Sequence, residues 1–337
     1  MRLAAALAAL ALFSVSDAIA QQAVDSLFLP TITNPAFAPG TGPVVLVDEG
    51  HFNAHVVEGS DRAFLEFLRR DGYRVRRSRS PFNRDTLNTG QILVIPMALS
   101  ERNRVRGDST SYFNPDSTDF DLPNPSAFSA EEITAVRSWV EDGGSLLLVS
   151  DHMPASGAVE DLALAFGIHF SNGHARDCRL PGGETSCGSL TRGPFRRSDG
   201  SLADHPITDG RSSAERVDSM RTFGGSAFYP DRDNVDLEPL LIFRSGAISL
   251  EPTAFREFTP ETPRIPVEGW FQGAALRFGE GRAVFFGEAG MFFAELRWLG
   301  MRTDEHEYGD PSPGAEQNPQ FLLNALHWLS GILDEPE

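Results

Sequence analysis

The chain reads as an α/β protein with a flavodoxin-like, doubly wound, mostly parallel sheet and an elaborated C-terminal half. Three observations carry that reading. Val44–Val47 and Leu146–Val149 are unbroken apolar runs of strand length, the pattern of strands buried on both faces. Strand and helix patterns alternate from Val44 to Phe166, which implies parallel strands joined by crossovers. Each apolar run also ends in acids and histidines: Asp48-Glu49-Gly50-His51-Phe52-Asn53-Ala54-His55 after the first, Ser150-Asp151-His152-Met153-Pro154 after the second. Open α/β sheets bind ligands beyond the carboxyl ends of their strands.

Residues 1–20 read as a secretory signal, with Arg2 as the charged region, Leu3–Val15 apolar, and Ala18-Ile19-Ala20 as an A-x-A cleavage site. No later run approaches the roughly 18–20 apolar residues of a membrane helix, and the residue directly after the cleavage site is Gln21, not the cysteine of a lipoprotein anchor. The expectation is a soluble protein exported across the inner membrane, periplasmic in a Gram-negative source, without a membrane anchor once cleaved. A retained N-terminal anchor is the alternative.

A polar, Pro-rich lead covers 21–42, and one elaborated domain is expected over 43–333. After the strand Val44–Val47, Ser60–Arg70 predicts a helix in which Phe64, Leu65 and Leu68 share a face and Asp71-Gly72 stops it. Tyr73–Arg77 and Gln91–Met97 predict strands. A polar insertion follows near 101–127. Ser129-Ala130-Glu131-Glu132 is a capping-box pattern opening a helix that Asp142-Gly143-Gly144 ends. Leu146–Val149 follows at once, then a helix over Ala158–Phe166. Residues 169–235 show little periodicity and read as a second insertion. Leu240–Phe243, Ala274–Phe278 and Arg282–Gly287 predict strands, the last two joined by a Gly279-Glu280-Gly281 hairpin. A helix over Pro319–Leu333 closes the chain.

Composition excludes several functions. The net charge is −18, and there is no lysine among the 29 basic residues. That removes a Walker-type lysine, a Schiff base and a lysine general base. Strong acidity also argues against nucleic acid and anionic membrane surfaces, which demand a basic footprint. Cys178 and Cys187 flank a Pro-Gly-Gly turn. In an oxidising compartment they predict a disulfide closing a small loop, with a catalytic thiol the competing idea.

Asp48, Glu49, His51, Asn53 and His55 form the first candidate cluster, suited to substrate binding, acid–base work or metal ligation. The alternatives are a turn cap for Asp48 and a solvated ring for His55. Asp151 and His152 are the sharper candidates, because a charged pair directly after a buried strand must face solvent or a ligand. Glu288, ending the apolar run Ala283–Phe286, is a third. These three are the candidate catalytic residues, with His51, His152 and Glu288 candidates for a divalent metal. Asp204-His205 is a further contributor or simply a loop anchor. There is no G-x-S-x-G elbow and no G-x-G-x-x-G after a strand, so neither a Ser nucleophile nor a nucleotide cofactor is expected.

The order of these pieces resembles the class I glutamine amidotransferase-like superfamily, and within it the trehalose-utilisation (ThuA-like) and related exported proteins. Four stretches carry the resemblance: the strand ending in Asp48-Glu49-Gly50-His51, Phe128–His152, His205-Pro206-Ile207-Thr208-Asp209-Gly210, and Gly281–Glu288. The amidotransferases keep a cysteine after the strand matching Leu146–Val149. Here Ser150-Asp151-His152 stands in that place, so thioester chemistry is out of reach. ThuA-like proteins carry a histidine at this strand end, which His152 matches, and a Gly-His where this chain has Gly287-Glu288. The resemblance implies a flavodoxin-like sheet and a link to carbohydrates. Two functions follow as expectations: a hydrolase or lyase acting on a small polar or carbohydrate-like substrate, or a non-catalytic binding or assembly domain on the same fold.

Overall fold

The computed structural model describes residues 21–24, 28–54, 62–103, 120–177, 194–231, 235–292, 294–298, 305–309 and 314–334. The signal segment, His55 and the Cys178–Cys187 pair lie outside them. In chain order the first elements are β1 Gln21–Val24, β2 Val44–Asp48, α1 Arg62–Arg70, β3 Arg74–Ser78, α2 Arg84–Leu87 and β4 Ile92–Pro96. Then come α3 Ala130–Glu141, β5 Ser145–Val149, α4 Ala155–Leu164, β6 Ile168–Phe170, β7 His174–Asp177 and β8 Pro194–Arg196. The C-terminal half adds α5 Pro206–Asp209, β9 Ser219–Arg221, β10 Phe228–Pro230, β11 Glu238–Ile242, β12 Ala247–Leu250 and β13 Arg264–Pro266. It ends with β14 Phe271–Phe278, β15 Gly281–Phe286, β16 Ala294–Trp298, β17 Glu305–Gly309 and α6 Asn318–Leu329.

A 9-stranded sheet organises the molecule, in the order β3-β2-β4-β5-β15-β14-β10-β6, with β11 also paired to β14. The strands β3, β2, β4, β5 and β15 are parallel to one another, and β14, β10, β6 and β11 pair antiparallel. Counting only the parallel strands in chain order gives 2-1-3-4-5, the flavodoxin-like winding. The apolar runs explain it. Val45, Val47, Ile92, Val94, Leu147, Val149, Val284 and Phe286 face one core together with α1 and α6. Their neighbours Val44, Leu46, Leu93, Ile95, Leu146, Leu148, Ala283 and Phe285 face the other with α3 and α4. Side chains alternate across a strand, so a run buried on both sides needs helices on both faces. Burial of each such side chain contributes about 1.5–3 kcal/mol.

Boundaries differ from the sequence reading where local signals compete. The helix expected over 158–166 begins at Ala155, because Pro154 opens it; proline has no N–H to lose in a first turn. The strand expected from Ala274 begins at Phe271. Residues 169–235, read as an aperiodic insertion, supply His169 and Phe170 of β6 together with β10, which extend the main sheet. The Gly279-Glu280 hairpin is present, with Phe278 opposite Gly281. The capping box at Ser129 and Glu132 is also present. No helix among the described residues is long and apolar enough to cross a membrane.

Candidate functional site

The switch point of this winding lies between β2 and β4, where the crossovers leave in opposite directions. Side chains close it. Asp48, fully buried, accepts the Gly50 N–H (3.0 Å) and the His51 Nδ1–H (2.9 Å) on Oδ1. The Asn53 amide donates both to Asp48 Oδ2 (2.9 Å) and across the gap to the Pro96 carbonyl (3.0 Å). His51 Nε2 meets Glu132 Oε1 at 2.9 Å, and the ring packs on Phe82 and Phe128. Glu132 is the capping-box acid of α3, and it also accepts the N–H groups of Phe82 (2.9 Å) and Ser129 (3.0 Å).

Burial opposes charge on His51, but the bonds and charges of Asp48 and Glu132 outweigh it and hold its pKa above the ordinary imidazole value. Burial likewise opposes charge on Glu132, and the Ser129 and Phe82 N–H groups with His51 bring its pKa below the usual carboxylate value. The ring therefore has a carboxylate on each nitrogen. Its valences are used, so the cluster braces the β2 loop against α3 and has no ring nitrogen left for a metal. Glu49 turns the other way, toward the sheet edge, where it pairs with Arg77 and with Arg79 Nε (2.8 Å).

One strand farther on, the groups are less committed. Asp151 accepts the His152 N–H (2.6 Å) and the Ala289 N–H (3.1 Å). His152 Nδ1 lies 2.7 Å from the Met153 carbonyl. A carbonyl only accepts, so Nδ1 carries the proton and Nε2 carries the lone pair. That Nε2 is 3.4 Å from Arg256 Nη2 and 3.6 Å from Asp151 Oδ1. The ring stacks on His174 with centroids 4.1 Å apart and planes at 21°. Phe255 and Phe258 wall this pair. Burial lowers the pKa of His152, Asp151 opposing and Arg256 adding; burial, His152 and the two arginines 256 and 176 take His174 well below the ordinary value. Both rings are neutral at neutral pH.

Glu288 stands beside Asp151. Phe286 pairs with Val149 in parallel register, so each acid lies two residues past the last pair of its strand. Its carboxylate is 1% exposed. Oε1 accepts the Phe223 (3.2 Å) and Gly290 (2.8 Å) N–H groups, and Oε2 the Met291 N–H (3.1 Å). Burial, then the Asp151 charge, pushes it up to about 8 against those three donors. Glu288 is thus spent on holding the 288–291 turn. Gly225 makes this possible: a Cβ there would lie 2.1 Å from the Gly287 carbonyl oxygen.

The structure sets Asp151 and His152 beside Glu288 at the adjoining ends of β5 and β15, and Asp48, His51 and Asn53 together at the end of β2. Glu132, His174 and Arg256 join them and were not among the candidates from sequence. Glu132 was visible only as a cap, and the other two come from stretches without periodicity. Among the described residues the two histidine clusters share no hydrogen bond. They meet through the exit of β4, where Met97 donates to Val149 and accepts from Ala54, while Leu99 donates to the His51 carbonyl. His205 is a loop anchor: its Nδ1 accepts the Ile207 N–H (3.0 Å) and Nε2 meets Glu238 (3.0 Å). Among the described residues, no group of three His, Cys, Asp or Glu is arranged to hold a metal.

The rim is strained and apolar. Among the described residues the non-glycine positions with positive φ are Phe52 (47°), Met97 (44°) and Arg256 (59°). All three border these clusters, as strain tends to at functional sites. The exposed large apolar side chains among the described residues, Phe52, Leu122 and Phe258, lie on loops of this same end. A groove of about 560 Å³ lined by Arg137, Phe166, Arg277 and Phe278 lies at the opposite end of the sheet.

No protein-family model matches the chain, and no curated protein matches it. Solved structures do. The mmIFT52 N-terminal domain is similar with a TM-score of 0.52 at 11% identity, over 85% of this chain and 97% of that one. A ThuA-like protein from Bacteroides uniformis gives a TM-score of 0.43 at 12% identity, over 87% of this chain and 93% of that one. Another from Parabacteroides merdae gives 0.40 at 12% identity, over 88% and 93%. At these identities the likeness is one of α/β fold alone.

Proposed function

We propose that this chain is an exported acid–base enzyme, a hydrolase or lyase of the amidotransferase-like kind that has no cysteine nucleophile. Its substrate is small, polar and carbohydrate-like. His152 is the general base, Asp151 positions it, and Glu288 holds the turn that orients Asp151. One observation carries the reading: the Met153 carbonyl fixes the His152 tautomer, so a neutral imidazole at a strand end presents its lone pair on Nε2. A lowered pKa keeps that lone pair available at neutral pH. Asp48, His51 and Asn53 support the neighbouring loop and do not touch the substrate.

A binding domain without catalysis is the rival, and one observation favours it: the Arg256 guanidinium lies against His152 Nε2. The separating experiment incubates purified mature protein with glycosides, sugar lactones and sugar esters and follows products by NMR. The enzyme reading expects turnover that falls at least about 100-fold in His152→Gln, with unchanged circular dichroism. Its rate should rise with pH to a plateau already reached near neutrality. Ligand binding without turnover, unaltered in His152→Gln, would establish the rival.

A further inference from the structure

We infer that Arg256 and the stacked His152–His174 pair form a carboxylate subsite, so that the ligand of this site is a small polyhydroxylated acid rather than a neutral sugar. This rests on the reading of His152 as the working base and adds the charge of its substrate.

Three arginines gather at the paired rings. The molecule carries −18 overall, yet Arg256 and Arg176 both act on His174, and Arg264 acts on Arg176. Among the described residues an acid close to the pair is Asp151, whose two oxygens are taken up by the N–H groups of His152 and Ala289. The groups around the two rings are therefore donors and cations on one side and a committed carboxylate on the other. Such a place favours an incoming anion.

Two further observations point to a ligand. His174 Nε2 is buried and has no hydrogen-bond partner among the described residues. Native proteins seldom leave such an atom unsatisfied, because its desolvation is uncompensated. Arg256 is also held in a left-handed backbone conformation, φ +59°, which is strained in a non-glycine residue. The neighbouring chain is anchored to keep it there: Phe255 N–H donates to Asp121 Oδ1 (2.7 Å), and Leu122 N–H to the Thr253 carbonyl (3.1 Å). Phe255 and Phe258 flank the cations, with Arg176 4.4 Å above the Phe258 ring.

The exchange is favourable in direction. The Arg256 contact to a neutral imidazole is long, 3.4 Å. A guanidinium–carboxylate pair is charge-assisted and bidentate, roughly twice as strong as a neutral bond. A carboxylate arriving here takes the guanidinium away from His152 Nε2 and leaves that lone pair for the base role. Arg256 would then act both as selector and as gate. No bond is made or broken in this step.

The test is an NMR titration of the His152 and His174 ring protons in the mature protein with D-glucuronate and, separately, D-glucose. The expected result is glucuronate binding at least tenfold tighter, with the His152 titration moved upward. Arg256→Gln should bring the two sugars level, and Arg256→Lys, which keeps the charge but not the fork, should restore part of the preference. Equal affinities in the natural protein, or a preference that survives Arg256→Gln, would overturn the subsite. If both sugars bind equally and His152→Gln abolishes both, the carboxylate subsite falls and the base reading stands. If glucuronate preference depends on Arg256 but His152→Gln leaves turnover intact, the subsite stands and the base reading falls.

Discussion

His51 Nε2 and Glu132 Oε1, 81 residues apart in sequence, lie 2.9 Å from each other at the carboxyl end of the sheet. The bond joins the loop after β2 to the first turn of α3. Because Asp48 takes the other ring nitrogen, removal of the ring strands two carboxylates, one of them wholly buried. Breaking one side of a buried pair costs about 3–5 kcal/mol. His51→Leu should lose that much in urea unfolding, and His51→Gln, which keeps one donor, should lose less. A loss below about 1 kcal/mol for His51→Leu would mean that the brace is ornamental.

The same pair sets a pH dependence. The His51 pKa is raised on folding, so its stabilisation is complete below the unfolded value of 6.5 and is lost as pH rises through the folded one. The stability gap between the natural protein and His51→Leu should therefore narrow above pH 6.5. Unfolding midpoints across that range check it.

Glu288 gives the opposite kind of signature for a carboxyl group. Its folded pKa is pushed up to about 8 from 4.5. Its contribution is complete below 4.5 and declines as pH rises through about 8. Glu288→Gln should flatten the fall in stability across this window. It should also cost about 1–3 kcal/mol at low pH, because the amide nitrogen would meet a backbone N–H of Gly290, Phe223 or Met291. Equal pH slopes in the two proteins would show that Glu288 ionises freely.

Much of the sheet was legible because burial on both faces leaves a strand no polar positions, and Val44–Val47 and Leu146–Val149 have none. The places of Asp151, His152 and Glu288 were legible for a related reason, since polar residues directly after such runs must emerge at one end. Their roles were not. Glu288 looks like an acid poised for chemistry until the Phe223, Gly290 and Met291 amides are placed around it. Those donors come from two separate stretches. His51 likewise looks available until Glu132, already identifiable as a cap, is found on its second nitrogen. His174 and Arg256 escaped because short strands and hairpin loops carry no periodic signal.

Gly225 tests the support beneath Glu288. A Cβ there would lie 2.1 Å from the Gly287 oxygen and 2.9 Å from Glu288 Cβ, at φ +93°. Gly269 has a comparable φ, +81°, with nothing within 4 Å of its would-be Cβ. Gly269→Ala should thus cost only the backbone strain, about 1–2 kcal/mol. Gly225→Ala should cost clearly more, and it should disturb the Ala289 and Met291 amide resonances. Equal costs would mean that the backbone around Gly287 yields without strain.

Acid should loosen the His152–His174 pair for a reason opposite to that at His51. Both rings have pKa values lowered by burial. Their stabilisation is present above the unfolded value of 6.5 and is lost as pH falls below it toward the folded values. His51 grows more stabilising over that interval, so the natural protein shows the sum of two opposed slopes. His174→Phe preserves a flat ring against His152 and removes one of the buried bases. Between pH 7.5 and 5 it should lose less stability than the natural protein, about 1 kcal/mol less. In His51→Leu the acid loss should be steeper than in the natural protein. If His174→Phe keeps the natural slope, His174 is protonated without penalty, and the neutral pair on which the site depends does not exist.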